Sequence, residues 1–439
     1  MGTFFRSKVL YLFVVSIIAL LLIQPNSIQA KTMETKAETA IIVDVNTGKI
    51  LFAKDENEAL PPASMTKMMT EYIVLEMIDK GELNWDTKTQ ISDYAYSISA
   101  NTAFSGVGLR QNVDYTVKSL YEAMAINSDN ATTIALAELV AGSEGEFVKL
   151  MNQKAEELKL PDYKFVNSTG LDNDSLGGKH PEGTKANDTN LLSAKSAAIL
   201  AYHLVNDYPE VLEISSIPET KFDGQEIRNW NWMLKHDATF LKPYYYEGVD
   251  GLKTGNTDLA GFTFTSTATK DDRRLITVVM KTNSVEERFK ETAKLLDYGF
   301  SQFEDVEVFP AGYKVKDNST IPVAKGKEDK VEVALKDGIT IPTVKGTEKD
   351  YKVEYKIDKK LVNKDGELEA PIKKGEKVGV AELVFDGEED FGYILDDEKK
   401  VSVDLVTTQD VAKKNWFSLM LGAIGQFFTN LYDKFIGLF

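Results

Sequence analysis

Near residue 303 the hydrophobic periodicity of the chain changes abruptly, and the change restricts what each part can fold into. Before it, strand-like and helix-like patterns are mixed. Ala40–Val45 and Lys49–Ala53 flank Asn46-Thr47-Gly48 as a hairpin. A helix is predicted from about Ser64 to Lys80, with Met65, Met68, Met69, Tyr72, Ile73 and Met77 on its apolar face. Helical patterns follow at Val117–Ile126, Ala131–Ala141, Glu146–Leu158 and Ser193–Asn206. Phe262–Ala268 then alternates as a strand, turns, and returns as Arg274–Met280, and Glu287–Tyr298 closes the region as a helix. Strands at both ends with helices between predict one α/β domain over 31–303, with an antiparallel sheet and a helical subdomain. Beyond it, Val331–Leu335, Tyr351–Ile357, Lys377–Phe385 and Val401–Val406 alternate between turn signals. That texture predicts a small all-β domain over 304–408, a spacer or binding module without a catalytic cluster.

The two ends differ from this middle and from each other. Residues 1–30 read as a secretory signal peptide: Arg6 and Lys8 precede the uncharged run Val9–Ile23, and Ala30 offers a small residue at the cut. As a helix that run rises only about 22 Å, short of a ~30 Å hydrocarbon core. In 409–439, Phe417, Met420, Leu421, Ile424, Phe428, Leu431, Phe435 and Leu438 recur at three- and four-residue steps. Asp433 and Lys434 would be costly in hydrocarbon, so this amphipathic helix is expected to lie on a membrane surface rather than cross it. Together the ends predict an exported protein on the outer face of the cytoplasmic membrane or in the cell wall, peripherally anchored.

Composition removes whole classes of chemistry. The absence of cysteine excludes disulfides, thiol nucleophiles and cysteine-based metal sites. The only histidines, His180, His203 and His236, are too far apart for a zinc-binding helix pair, so no metal or cofactor is expected. A formal charge of −17 repels phosphate backbones, so nucleic acid is a poor partner.

The chemistry has to come from serine, lysine and their neighbours. Ser64-Met65-Thr66-Lys67 opens the first long helix, where backbone N–H groups favour developing negative charge. Lys67, three residues on, shares the helical face of Ser64 and is placed to act on its hydroxyl. A free lysine is neutral at pH 7 in only about one molecule in 2,500, a handicap of about 4.6 kcal/mol. Burial and a second cation both favour the neutral amine. Lys253-Thr254-Gly255 supplies that cation just before the Phe262–Ala268 strand, where lysine and threonine suit a substrate carboxylate and glycine admits a peptide backbone. Ser128-Asp129-Asn130 lies between two helices. A rival, Ser99-Ala100-Asn101, lacks such flanks and is discounted. Singly, the three motifs also read as a helix cap, a turn and a capping loop.

In this order they are the set found in penicillin-binding proteins and serine β-lactamases. The chain resembles the D-alanyl-D-alanine carboxypeptidases, low-molecular-weight penicillin-binding proteins, of a Gram-positive bacillus type. Leu60–Thr70, Asn167–Leu171, Asn229–Leu234 and Gly251–Gly261 add to the likeness. The resemblance implies the penicillin-binding/β-lactamase-like (transpeptidase-like) α/β fold. It implies removal of the terminal D-alanine from peptidoglycan pentapeptide stems, and covalent inhibition by β-lactam antibiotics. By the same resemblance Ser64 is the acylated nucleophile, Lys67 its base, and Ser128 and Asn130 relay protons and hold the substrate amide. Lys253 and Thr254 bind the terminal carboxylate beside Gly255, assisted by Arg288, and the N–H groups of Ser64 and Asn256 form the oxyanion hole.

Two positions depart from the family pattern. Many members carry Gly at the position of Asp129 and His at that of Asn256; Asp129 matches the β-lactamase pattern instead. A serine β-lactamase and a non-catalytic surface protein on the same fold are the alternative readings. No Glu-x-x-Leu-Asn string occurs between Asn130 and Lys253, and all three motifs are intact, which favours the carboxypeptidase.

Overall fold

The computed structural model describes residues 33–316, 318–344, 346–387, 391–395 and 401–416, with positions 420 and 424. The expected signal peptide and nearly all of the expected terminal helix lie outside the described residues. Among the described residues no helix is long and apolar enough to cross a membrane.

Five strands make the central sheet: β1 (Thr39–Asp44), β2 (Ile50–Lys54), β3 (Val249–Thr257), β4 (Gly261–Lys270) and β5 (Arg273–Thr282). Their order is β3-β4-β5-β1-β2, and every pairing is antiparallel. The first strand of the chain thus pairs with one more than 200 residues later, Ile41 opposite Val278. Both faces are covered. Ile41, Val43, Ile276 and Val278 point into the larger core, while Ala40, Ile42, Leu275 and Val279 point the other way, onto Phe264, Phe289, Leu295 and Leu296. A period of two with apolar residues at both parities is what a sheet buried on two faces requires.

Among the described residues, the six helices longer than ten residues are α1 (Lys67–Asp79), α2 (Val117–Asn127), α3 (Asn130–Ala141), α4 (Glu144–Glu157), α5 (Ala194–Asp207) and α6 (Val285–Gln302). The first five contribute to the larger core, and α6 lies on the opposite face of the sheet. Thr116, Asp129, Ser143, Ser193 and Ser284 each cap a helix by accepting a backbone N–H from its first turn.

Two local expectations are corrected here. Ser64 does not begin an α-helix or cap one: Ala63–Thr66 form a 3₁₀ turn, and α1 begins at Lys67. The turn opens at Ala63, whose φ of 48° lies in the left-handed region, directly after Pro61-Pro62. Lys253-Thr254-Gly255 does not introduce the next strand but lies inside one of its own, β3, at the edge of the sheet. The loop between α2 and α3 shrinks to Ser128-Asp129.

The second domain is all β: β6 (Phe303–Phe309), β7 (Thr320–Ala324), β8 (Lys330–Leu335), β9 (Ile339–Val344), β10 (Tyr351–Ile357), β11 (Leu368–Glu369), β12 (Lys377–Phe385) and β13 (Ser402–Thr407). Six form a sheet in the order β10-β12-β13-β8-β7-β11, and β6 pairs with β9. This domain meets the first at the β1–β2 hairpin. Lys49 lies over the rings of Tyr351, Phe385 and Tyr393, and Ile50 donates its N–H to the Gly392 carbonyl. The contact involves the turn leading into β2, the sheet edge opposite β3.

Candidate active site

Lys67 is the first residue of α1 and is wholly buried. Its Nζ lies 3.0 Å from Ser64 Oγ, 2.8 Å from Asn130 Oδ1 and 2.7 Å from the Thr169 carbonyl oxygen. Ser64 is partly exposed, whereas Ser128, Asn130, Lys253 and Thr254 are buried. Lys253, inside β3, donates to Ser128 Oγ at 2.9 Å. The fold therefore joins the three motifs through two lysines, each contacting one serine.

The electrostatics follow from this packing. Burial and then the charge of Lys253 push the Lys67 amine well below the usual lysine range, against the pull of Asp129, Glu71 and Glu144. Burial lowers Lys253 to about 8, with Glu71 opposing the shift and Arg288 adding to it. Glu71, one turn beyond Lys67 on α1, is raised to about 7 by burial, the two lysines working the other way. Sequence reading passed over Glu71. Its spacing of four from Lys67, on the inward face of a helix, was the available signal.

Two glycines bring the elements together. A Cβ on Gly255 would stand 2.7 Å from the Pro62 carbonyl oxygen and 2.9 Å from the Ser64 nitrogen. One on Gly170 would stand 1.9 Å from the Ala63 carbonyl oxygen. Gly170 belongs to the Asn167–Leu171 loop, where Asn167 Oδ1 accepts the N–H groups of Thr169 and Gly170. The same loop offers the Thr169 carbonyl to Lys67 and the Ser168 carbonyl to Thr70. It reaches Ser64 by backbone, which is why side-chain chemistry in the sequence did not reveal its contact.

The remaining expected residues fall into place unequally. Asn256 is exposed at the end of β3, beside a cleft of about 670 Å³ that Phe104, Leu171, Asp174 and Leu259 help to line. Arg288 on α6 is buried; its Nη1 donates to the carbonyls of Gly255 at 3.1 Å and Thr263 at 3.4 Å, and its guanidinium lies 4.6 Å from the Phe289 ring centre. It grips the backbone of β3 and of its neighbour β4. The discounted Ser99 accepts the Leu109 N–H.

The sequence profile of the peptidase S11 family, D-alanyl-D-alanine carboxypeptidase, matches residues 26–284, and that of the penicillin-binding protein 5 C-terminal domain matches residues 303–413. The chain belongs to the D-alanyl-D-alanine carboxypeptidase family. The D-alanyl-D-alanine carboxypeptidase DacF of Bacillus subtilis is 35% identical over 360 residues, covering 80% of this chain and 82% of the relative. The crystal structure of a peptidoglycan synthesis regulatory factor, PBP3, from Streptococcus pneumoniae shares 34% identity with a TM-score of 0.68, over 86% of this chain and all of the other. Penicillin-binding protein D2 of Listeria monocytogenes, solved with ampicillin bound, matches at 30% identity and a TM-score of 0.52, over 62% of this chain and 100% of that one. The low-molecular-weight penicillin-binding fold expected from the motifs, with its antiparallel sheet and C-terminal β domain, is borne out.

Within this family member Asp129, one of the two departures, has a structural task. Its carboxylate accepts N–H groups from Thr132, capping α3, and from Val107. Asn130 donates both its backbone N–H and its side-chain amide to the Ser105 carbonyl. These contacts pin the 105–107 segment beside Asn130 and turn the Asn130 oxygen towards Lys67.

Proposed function

We propose that this carboxypeptidase cleaves the D-Ala-D-Ala bond of peptidoglycan pentapeptide stems through an acyl-enzyme on Ser64, and that β-lactams acylate the same oxygen. The observation that carries the reading is the surroundings of Lys67 Nζ. A neutral amine has two N–H bonds, which Asn130 and the Thr169 carbonyl accept, so its lone pair is left facing the Ser64 hydroxyl. Ser64 Oγ attacks the carbonyl of the penultimate residue as its proton passes to Lys67. Ser128, hydrogen-bonded to Lys253, delivers its proton to the departing D-alanine amine and takes back the one that Lys67 received, which restores the neutral amine, and water then hydrolyses the ester. Lys253 and Thr254 hold the terminal carboxylate. Gly255 lies against the Ser64 amide, which favours the N–H groups of Ser64 and Asn256 as oxyanion donors, worth ~3–4 kcal/mol each. Arg288 supports this wall by holding the Gly255 carbonyl.

Release of D-alanine from diacetyl-L-Lys-D-Ala-D-Ala, measured beside nitrocefin turnover, tests the assignment. Rapid peptide cleavage with slow nitrocefin turnover supports it, and the reverse supports a β-lactamase.

A bell-shaped pH dependence of kcat/KM is expected for the peptide. Activity falls with acid as Lys67 becomes protonated, at a pH well below the ordinary lysine range because its pKa is depressed. It falls again as pH rises through about 8, where Lys253 loses the charge that binds the carboxylate. Lys253→Arg keeps that charge and should remove the alkaline limb. An alkaline limb unmoved by that substitution assigns it to another group.

The division at 303/304 and attachment through the terminal amphipathic helix belong to the same proposal. Truncation before Trp416 should release active enzyme into the soluble fraction, because the reactive groups lie between Ser64 and Arg288. Sedimentation of the truncated protein with membranes places the anchor elsewhere.

A further inference from the structure

We propose that Trp230 is a positioning residue for Ser128, its indole N–H holding the turn that presents the Ser128 hydroxyl to Lys253. Ser128 ends α2 in the left-handed region, at φ 62° and ψ 30°. That conformation is ordinary for glycine and unfavourable for serine, so surrounding contacts have to maintain it.

Beside the bonds that α2 itself makes to the turn, one short segment, 228–231, supplies contacts from outside. Trp230 Nε1 donates to the Asn127 carbonyl at 2.9 Å, and Asn127 Nδ2 returns a bond to the Arg228 carbonyl at 3.3 Å. The residues on either side of Trp230 face inward. Asn229 Nδ2 donates to the carbonyls of Ser215 and Ile217, and Asn231 Nδ2 to that of Gly251, two residues before Lys253. Asn229 and Asn231 are 4% and 1% exposed, whereas Trp230 is 46% exposed. The segment is thus a strut between the turn carrying Ser128 and the strand carrying Lys253, whose side chains meet at 2.9 Å. The indole is about half buried, and it is its N–H that makes the specific contact to the turn.

The inference rests on the proton-relay role of Ser128 proposed above, and the test keeps the two apart. Trp230 is replaced by benzothienylalanine, which preserves the ring's shape and substitutes sulfur for N–H, and by Phe; Ser128→Ala is prepared in parallel. Penicillin acylation and peptide kinetics are measured per active site titrated, so that any unfolded fraction cancels. Both Trp230 replacements are expected to lower kcat and the acylation rate by about 10-fold, the effect of one lost hydrogen bond that positions a reacting group, with KM little changed. Full acylation in the analogue while Ser128→Ala is slow overturns the strut alone. A raised KM at unchanged kcat makes Trp230 a substrate contact and also overturns it. Wild-type acylation in Ser128→Ala removes the relay role and the inference with it.

Discussion

Lys67→Ala is expected to lower both D-alanine release and penicillin acylation by about a thousand-fold, the middle-to-upper range for removing a positioned general base. Three effects coincide. The Ser64 hydroxyl loses its proton acceptor, and Asn130 Oδ1 and the Thr169 carbonyl lose their donor. Glu71 also loses the lysine that, when protonated, opposes the upward shift of its carboxyl, so that shift should be opposed by Lys253 alone. Removal of a buried amine also removes a desolvation cost, so a single cooperative unfolding transition should persist. Stopped-flow acylation with a fluorescent penicillin, beside thermal unfolding, measures both. Retention of acylation within about 10-fold of wild type would assign the base to another group.

Gly170→Ala is expected to damage both stability and acylation without touching a reacting atom. Gly170 has φ 86°, and the added methyl would fall 1.9 Å from the Ala63 carbonyl oxygen. Backbone cannot rotate away as a side chain can. Either the Ala63–Ser64 turn moves, or the loop withdraws the Thr169 carbonyl from Lys67. Strain and overpacking together should cost roughly 2–4 kcal/mol of stability. Displacement of Ser64 by about 1 Å should lower acylation by about a hundred-fold. Gly178 is the control, because it has a similar φ of 83° but nothing within 4 Å of an added Cβ. Gly178→Ala should show only the backbone term, about 1 kcal/mol, and normal acylation. Equal effects at the two positions would mean that close approach to Ser64 is not what Gly170 provides.

The sequence made the catalytic domain legible where periodicity and turn chemistry agree. The β1–β2 hairpin, the β4–β5 hairpin and most of the long helices follow from apolar spacing, capping residues and the Asn46-Thr47-Gly48 turn. What it concealed was backbone geometry. Ala63 lies in the left-handed region and Ser64 in a 3₁₀ turn, and no residue there announces either. β3 was missed because Lys253-Thr254-Gly255-Asn256 carries little β propensity and is held by pairing with β4. In the second domain Pro322 and Pro342 lie inside β7 and β9, where a missing N–H weakens the strand signal, and Glu304, Asp305 and Glu307 mask the alternation of β6. The reacting groups were more legible than their supports, because serine and lysine are chosen for their chemistry. The Thr169 and Ser105 carbonyls act through backbone, and Glu71 and Trp230 belong to no short motif that had been singled out for chemistry.

The most direct test of the account is the position of the bond to penicillin. The enzyme is acylated briefly with benzylpenicillin, quenched in acid, digested, and the adduct located by tandem mass spectrometry. One penicilloyl group should appear, on Ser64, and Ser64→Ala should carry none while retaining its fold. An adduct on any other residue, or labelling that survives Ser64→Ala, would contradict the assignment of Ser64 and Lys67 as the reacting pair.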